Sequence, residues 1–227
     1  MKHVIIVFAS VLFLWIALYS CDLRAQERIS QKSNKEQVAP IAWLNETQGY
    51  LVDIRDSKRY KVVKIGTQTW FAENLAYKVD RSCWAYNNDE STVDSFGYLY
   101  NWETAKNVCP AGWHLPDDTE WVILADYLGG EKIAGSKMKS TAGWKYKENI
   151  NTTNSSGFNA LPTGRRDNKG GIFSHYGESA SFWSAKPIDS FNAVSRGLHY
   201  NSEDVHYGTN SRTSGFCVRC LKDTDKH

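Results

Sequence analysis

The chain has 227 residues and a formal net charge of +2 at pH 7, and its lysines and arginines are scattered along the sequence rather than gathered into blocks. This pattern excludes the basic stripe with which proteins bind nucleic acid, so no nucleic-acid partner is expected. The nine tryptophans and twelve tyrosines combine a large apolar ring with a polar group. Such residues suit a loop-rich core held by side-chain hydrogen bonds, and they also suit a surface that binds sugar or protein.

The first residues have the layout of a secretory signal. A short basic start precedes an apolar stretch over residues 4–21, and charged residues follow it. The last four residues of the stretch, LYSC, resemble a bacterial lipobox, in which the cysteine is acylated. We therefore predict a lipoprotein-type signal peptide over 1–21 with lipidation at Cys21. The alternatives are cleavage after Ala25 and an uncleaved membrane anchor, and all three place the remaining chain outside the cytoplasm.

The segments after the signal predict one tethered domain. Residues 22–40 are polar and without periodicity, which is typical of a flexible tether. The remaining length fits a single domain over 41–222 with a short tail over 223–227. With a lipid anchor, the expected location is the cell envelope, as an outer-membrane lipoprotein that faces the periplasm or the cell surface, and otherwise the protein is secreted.

Short β-type runs open the domain. The runs at 50–54 and 60–65 are separated by polar turn residues, and a second tight turn at Gly66 leads to a third run at 69–71. The sequence therefore predicts a three-stranded antiparallel meander. Residues 80–96 are rich in Asn, Asp and Ser and are expected to form a loop.

The clearest helix begins after Asp117. This residue can cap the free N–H groups of the first turn while Glu120, three residues later, reaches back in a capping box. Large apolar residues then recur at the spacing of one buried face, at Trp121, Leu124 and Leu128. A pair of glycines follows and ends the helix.

The second half of the domain has weaker signals. Residues 130–181 contain much Gly, Ser, Asn and Lys and keep no period, which predicts a long loop region of the kind that often carries function. Three strands are expected to close the chain, at 182–185, 193–200 and 216–221, and a short helix is expected from Trp102. The predicted fold class is α+β, with short antiparallel sheets, one or two helices, long loops and disulfide links.

The domain contains Cys83, Cys109, Cys217 and Cys220, and an even number in an exported chain predicts two disulfides. A bond between Cys109 and Cys220 would close a loop of roughly 110 residues and stabilise the domain by about 4–5 kcal/mol in the chain-entropy model. Cys217 and Cys220 point to opposite faces of an extended run, so they need different partners, which leaves Cys83 for Cys217. The alternative is a redox-active CxxC pair, which lacks the helix N-terminus that lowers a thiol pKa.

No catalytic or metal-binding constellation is recognisable. The histidines have neither HxxxH nor HExxH spacing, although His199 and His206 can meet across a hairpin; exposed strand positions are the alternative interpretation. The chain lacks the GxSxG and SxxK motifs of serine enzymes. The run NNDE at 87–90 lacks the spacing of an EF-hand and predicts an Asx-rich turn. We therefore expect a protein that is not an enzyme, with no cofactor and no bound metal.

Five motifs occur in an order that is typical of a known family. They are KIGTQTW at 64–70, AENL at 72–75, CPAGWHLP at 109–116, FWSA at 182–185, and GF followed by VRC within 215–220. In order and spacing they resemble the Fibrobacter succinogenes major paralogous domain, over about residues 50–221. That family occurs in secreted proteins and lipoproteins of Bacteroidetes and Fibrobacteres, and no biochemical activity is established for it.

The resemblance implies a C-type-lectin-like fold. The GWHLP run and the terminal strand are similar to those of formylglycine-generating sulfatase-modifying enzymes, which share that fold. This sequence has Cys217 where the family commonly has serine, and it lacks a second cysteine common before the run at 95–100. Both departures agree with a Cys83 that has exchanged its partner for Cys217. The calcium-binding triplets EPN and QPD of lectins are missing.

The predicted function is that of an exported, lipid-anchored, non-catalytic binding module of the cell envelope, whose ligand is a glycan or a protein. The candidate ligand contacts are Trp144, Tyr146, Arg165, Arg166 and Trp183, with the alternative that Trp183 belongs to the core. The alternative function is an oxidoreductase or sulfatase-modifying-type enzyme that uses Cys217 and Cys220. A structural or adhesion role without a small ligand is a third hypothesis.

Overall fold

A computed structural model describes residues 38–224. The predicted signal peptide over 1–21, the lipidation site Cys21, the alternative cleavage after Ala25 and most of the predicted tether lie outside the described residues. None of the described helices is long and apolar enough to cross a membrane.

The described chain combines short helices with mainly antiparallel sheets, so the predicted α+β class is confirmed. The strands are β1 (Ile41–Trp43), β2 (Gln48–Val52), β3 (Arg59–Ile65), β4 (Gln68–Phe71), β5 (Cys83–Trp84), β6 (Leu99–Tyr100), β7 (Trp113–His114), β8 (Arg165–Arg166), β9 (Phe173–Ser174), β10 (Ser179–Pro187), β11 (Asn192–His199), β12 (His206–Ser211) and β13 (Leu221–Lys222). The α-helices are α1 (Val93–Phe96), α2 (Trp102–Ala105), α3 (Asp118–Tyr127) and α4 (Glu131–Met138).

The main sheet has the strand order β1-β2-β3-β4-β13-β7. The predicted meander is present as β2, β3 and β4, which pair antiparallel. Strand β13, from the C-terminal end, lies between β4 and β7, where Leu221 is the ladder partner of both Trp70 and His114. The two ends of the domain therefore meet in one sheet.

Helix α3 forms where the sequence predicts it. The Asp117 side chain accepts a hydrogen bond from the Glu120 N–H, and the Glu120 carboxylate accepts one from the Asp117 N–H, each at 2.8 Å. The three predicted apolar residues are buried, and the two glycines that follow have positive φ angles. The short helix predicted from Trp102 is present as α2.

A second sheet pairs β10, β11 and β12 antiparallel. Strand β10 covers the predicted run at 182–185, and β11 covers the run at 193–200 except for its last residue. Strand β12 is mostly polar and gives no hydrophobic signal. Arg196 of β11 is buried and donates a hydrogen bond of 2.6 Å to Asp118 at the start of α3, and it also pairs with Glu131 at the start of α4. This arginine holds both helices against the sheet.

The structure contains more regular elements than the sequence predicts. The predicted loop over 80–96 contains β5, two 3₁₀ turns (Tyr86–Asn88 and Glu90–Thr92) and α1. The predicted loop over 130–181 contains α4 and the β8–β9 hairpin. Helix α4 gives little periodic signal in the sequence because Ala134 and Met138 bury one narrow side of an otherwise polar helix. Conversely, the predicted strand over 216–221 is regular only at its end, and Phe216 and Cys217 form isolated bridges.

Aromatic rings fill much of the core. The rings of Trp70 and Trp121 lie 4.9 Å apart, and those of Trp183 and Phe216 lie 4.4 Å apart. Two buried indole N–H groups donate to backbone carbonyls, Trp183 Nε1 to Tyr100 at 2.7 Å and Trp102 Nε1 to Ser184 at 2.8 Å, whereas Trp121 Nε1 has no hydrogen-bond partner among the described residues. The polar groups on these rings therefore serve the core, as the composition predicts.

Cys109 and Cys220 form the predicted disulfide, with their Cα atoms 5.8 Å apart. The predicted Cys83–Cys217 bond is wrong, because neither cysteine forms a disulfide within residues 38–224. Cys83 is the ladder partner of Tyr100, and Tyr100 in turn pairs with Phe216. Strand β6 therefore lies between the two thiols, and a separation of two strand spacings, about 10 Å, exceeds the reach of a disulfide.

Candidate binding site

Two adjoining cavities form a groove beside β2 and β3. Their volumes are about 320 Å³ and about 250 Å³, and Ala72 and Asn159 line both of them. We call this surface the polar groove and define it by seven of the polar and aromatic residues that line it: Gln48, Tyr50, Arg59, Lys61, Glu73, Asn154 and Asn159.

A tight turn builds one wall of the polar groove. Asn154 and Asn159 have left-handed φ angles of 48° and 54°, which asparagine tolerates better than most residues. The Asn154 side-chain oxygen accepts a hydrogen bond of 2.8 Å from the Asn159 N–H. Arg219 donates to the carbonyls of Phe158 and Asn159 at 2.5 and 3.0 Å. The turn is therefore fixed from both sides, and its amides stay beside the cavity.

The opposite wall comes from β2 and β3. Lys61 is exposed on β3, and its Nζ lies 3.8 Å from a carboxylate oxygen of Glu73. The guanidinium of Arg59 lies 4.4 Å from the centre of the Tyr50 ring. With the amides of the turn, these groups offer hydrogen-bond donors and acceptors beside one aromatic ring, and the described lining contains no His or Cys. This arrangement suits a ligand with many hydroxyl groups.

A second surface lies on the β8–β9 hairpin. The guanidinium of Arg166 lies 4.1 Å from the centre of the Trp84 ring. Phe173 of β9 is the ladder partner of Arg166. The Phe173 ring contacts Tyr86, Tyr86 contacts Tyr176, and Tyr176 contacts Phe96, with ring centroids 5.4–5.6 Å apart in each pair. We call this surface the aromatic–arginine patch; its members are Trp84, Tyr86, Phe96, Arg166, Phe173 and Tyr176.

The structure separates the five predicted contact residues. Trp183 is fully buried, so its prediction as an exposed contact is wrong and the core alternative holds. Trp144 packs against the core and donates from Nε1 to Ser140 Oγ at 3.1 Å, whereas Tyr146 is 88% exposed. Within the described chain, no hydrogen bond, ion pair or ring contact joins Trp144 or Tyr146 to Arg165 or Arg166.

The two arginines of β8 have different surroundings. Arg165 donates from Nε to an Asp167 carboxylate oxygen at 3.0 Å, and that aspartate also accepts from Ser174. Arg166 points to the aromatic–arginine patch, because successive residues of a strand face opposite sides. Of the predicted contact residues, Arg166 is therefore the one that lies beside several aromatic side chains.

His199 and His206 meet across the β11–β12 hairpin, with ring centroids 4.8 Å apart. Burial, followed by the neighbouring His206 and Arg165, lowers the pKa of His199 to about 4. Both rings are partly buried rather than exposed. Among the described residues, no group of three or more His, Cys, Asp or Glu side chains is placed to hold a metal ion.

The remaining thiols are protonated at neutral pH. Burial raises the pKa of Cys83 and that of Cys217 to about 11 each, so both stay protonated. The Cys217 sulfur lies 3.1 Å from Thr163 Oγ1 and 3.3 Å from Asn74 Nδ2. Because Cys220 is bonded to Cys109, Cys217 and Cys220 do not form the thiol pair that the enzymatic alternative requires.

A model of the Fibrobacter succinogenes major domain matches residues 63–222. The chain belongs to this family. Comparison with curated proteins found no match, and neither did comparison with solved structures.

The family motifs quoted above lie mainly in the scaffold. The buried motif residues include Trp70, Asn74, Trp113, Arg219 and the disulfide-bonded Cys220. The motifs therefore contribute core residues and both cysteines of the disulfide, while most of the polar groove lies outside them.

Sequence reasoning missed the polar groove. Its walls come from segments that are far apart in the chain, such as Lys61 and Asn159, and no local pattern connects them. The available signals were the exposed alternate positions of β3, such as Arg59 and Lys61, and the asparagines at 154 and 159.

Proposed function

We propose that the protein is an exported, lipid-anchored, non-catalytic binding module of the bacterial cell envelope, and that it binds a glycan in the polar groove. The observation that carries the proposal is the lining of the groove, where amide side chains, the Lys61–Glu73 ion pair and the Tyr50 ring surround adjoining cavities. Hydroxyl groups of a sugar both donate and accept hydrogen bonds, as amides do. The cavity volumes are those of a site for a small ligand or a short chain segment.

A C-type-lectin-like fold is part of this proposal. In support, the first and last strands of the domain share one sheet, and the Cys109–Cys220 disulfide joins the segment before α3 to the end of the chain. The export signal and the lipobox-like LYSC run at 18–21 support the address in the envelope. Radiolabelled palmitate incorporation into the wild-type chain, and its loss in Cys21→Ser, tests the anchor.

A glycan is favoured over a protein ligand by the size of the site. A stable protein interface takes about 20–30 residues from each partner, whereas the polar groove offers a small set of side chains around a concave surface. Exposed large apolar residues such as Tyr127, Tyr146 and Phe191 belong to separate segments of the chain.

The test uses the full-length protein in detergent on an array of envelope and plant polysaccharides. Gln48→Ala and Lys61→Ala remove groove side chains that are exposed, so neither change should disturb folding. We expect each to weaken binding of the selected glycan about fivefold or more, since each removes at least one hydrogen-bonding group. Lys64→Ala removes the same charge as Lys61→Ala from the same strand, outside the groove lining, and should change affinity less than about twofold.

A pull-down from envelope extract runs in parallel. A blank array together with a specific protein partner would replace the glycan by a protein ligand. Glycan binding that survives both groove variants would place the site elsewhere on the domain.

A further inference from the structure

Arg166 is an unusual arginine in this domain. Most of the described arginines have hydrogen-bond or ion-pair partners for their side chains; those without one among residues 38–224 are Arg59, Arg81 and Arg166. Arg59 and Arg81 are exposed, so water satisfies their N–H groups. Arg166 is partly buried, and within the described chain no carboxylate or carbonyl oxygen accepts a hydrogen bond from its side chain.

The surroundings hold the Arg166 guanidinium in place. One side lies on the Trp84 ring, 4.1 Å from its centre. The hairpin backbone approaches it at Gly171, where a Cβ added to the glycine would lie 2.1 Å from Nη2 and would displace the guanidinium. Its own backbone pairs with Gly215, and N–H···O bonds of 2.8 and 2.9 Å form in both directions. The side chain is therefore pre-organised before any ligand arrives.

A planar guanidinium with unpaired donors has a preferred partner. Its N–H groups form a fork that matches two oxygens of a carboxylate, sulfate or phosphate, and such charge-assisted pairs are stronger than neutral hydrogen bonds. The nearest acidic side chain along the hairpin, Asp167, is engaged by Arg165 and Ser174. Nothing on the hairpin therefore competes with an incoming anion for Arg166.

Aromatic side chains beside Arg166 indicate what carries the anion. Phe173, its ladder partner, contacts Tyr86, and Tyr86 contacts Tyr176, which is 53% exposed. This apolar surface beside a fixed cation fits a ring whose C–H face packs on aromatic carbon while its acidic substituent reaches the guanidinium.

We propose that Arg166 binds a carboxylate or sulfate group on a sugar ring that packs against the aromatic–arginine patch. The patch shares none of its six residues with the lining of the polar groove, so either proposal can fail its own test without the other. A uronic acid and a sulfated sugar supply the same chemistry, and the experiment distinguishes them.

The experiment titrates the full-length protein in detergent with three hexasaccharides by calorimetry at low salt. The probes are oligogalacturonate, chondroitin sulfate and neutral cello-oligosaccharide. We expect at least one acidic probe to bind about tenfold more tightly than the neutral one. Arg166→Gln should lower the affinity for that probe about tenfold and leave the neutral probe unchanged. Arg166→Lys should lower it at least threefold, because lysine keeps the charge but lacks the planar fork.

Lys64→Gln is the matched control, since it removes one positive charge outside both surfaces, and it should change affinity less than about twofold. Each variant is first compared with the wild-type protein by thermal unfolding. Two results would overturn the proposal: acidic probes that bind no better than the neutral one, or acidic binding that Arg166→Gln leaves intact. An oligoglutamate peptide is the last probe. If it binds as tightly as the acidic sugars and depends equally on Arg166, the sugar assignment is wrong.

Discussion

Arg219 donates a hydrogen bond from Nε to the side-chain oxygen of Asn74 at 2.7 Å, inside the core. The remaining donors of the guanidinium reach the carbonyls of Phe71, Phe158 and Asn159. Burial lowers the pKa of Arg219, and no carboxylate forms a salt bridge with it in the described chain. One buried cation therefore joins the segment before β13, the AENL segment and the groove turn through neutral oxygens.

Arg219→Lys should destabilise the domain strongly. A lysine ammonium has no planar fork, so it leaves several of these oxygens unpaired, and it loses more hydration free energy on burial than a guanidinium. We expect the free energy of unfolding to fall by about 3 kcal/mol, within the range for disrupting a buried charge network. Denaturant midpoints measure it, with the exposed Arg59→Lys as a control that should change by less than about 0.5 kcal/mol. Equal midpoints for the two variants would contradict this account of the core.

The parts of the fold that the sequence predicts are those with local signals. Helix α3 has its cap, its buried face and its terminal glycines within one short stretch, and the meander of β2 to β4 alternates around visible turns. Helix α4 and strand β12 carry few apolar residues, so their periodicity is hidden. The alternation of side chains along a strand predicts only that Cys217 and Cys220 have different partners, which agrees with the Cys109–Cys220 bond. It cannot show that β6 lies between Cys83 and Cys217, because that depends on the tertiary structure.

The candidate site was less predictable than the fold. Arg166 could be named as a planar cation, but its stacking on Trp84 depends on a contact between distant segments. The polar groove is invisible to periodicity because its walls belong to β2, β3 and the turn at 154–159. A pattern of neighbours in sequence does not report neighbours in space.

Removing the Cys109–Cys220 disulfide should lower the free energy of unfolding more than removing the buried Cys217 thiol. The bond closes a loop with a sequence separation of 111 residues, and native disulfides contribute about 2–5 kcal/mol. Cys217→Ala removes only one buried sulfur from a site between Thr163 and Asn74, which costs about 1 kcal/mol. The double variant Cys109→Ala/Cys220→Ala should therefore unfold at a lower denaturant concentration than Cys217→Ala under oxidising conditions. The reverse order would contradict the assigned role of the bond.

Alkylation should distinguish the two free cysteines of the domain from the two that form the disulfide. Without reductant, unfolding exposes Cys83 and Cys217 to iodoacetamide, while Cys109 and Cys220 remain bonded to each other. In the folded protein, Cys217 should resist the reagent because it is fully buried and burial raises its pKa to about 11. Peptide mass spectrometry measures both states. A peptide linking Cys83 to Cys217 would restore the pairing that the structure contradicts.

Acidification should destabilise the domain through His199. Burial and the neighbouring His206 lower the pKa of His199 to about 4, against an ordinary value of 6.5. The stability linked to this group is present above pH 6.5. As the pH falls from 6.5 towards 4, the unfolded chain binds a proton that the folded chain does not, so stability is lost. His199→Gln should remove this part of the acid dependence, on the order of 1–2 kcal/mol, when unfolding curves are compared between pH 7 and 4. Identical slopes in the two proteins would exclude His199 as the cause.

His114 should stabilise the domain at low pH and lose this effect as the pH rises. Its Nε2 lies 2.9 Å from a Glu120 carboxylate oxygen and its Nδ1 lies 2.5 Å from Asp223, so it connects the cap of α3 to the residue after β13. The bond to Glu120, followed by that to Asp223, raises the pKa of His114 from 6.5 to about 9 against the effect of burial. The added stability is complete below pH 6.5 and disappears as the pH rises through 9, because the folded chain then loses a proton that the unfolded chain has already released.

The expected loss is about 1 kcal/mol or less, since the His114 side chain is 36% exposed and solvent screens the ion pairs. Denaturant midpoints at pH 6, 7.5 and 9.5 measure it, and His114→Gln supplies the control that keeps a polar side chain but cannot titrate. In His114→Gln the midpoint should be lower than wild type at pH 6, and the two proteins should converge at pH 9.5. A wild-type advantage that persists unchanged at pH 9.5 would show that His114 stabilises the domain by packing rather than by charge.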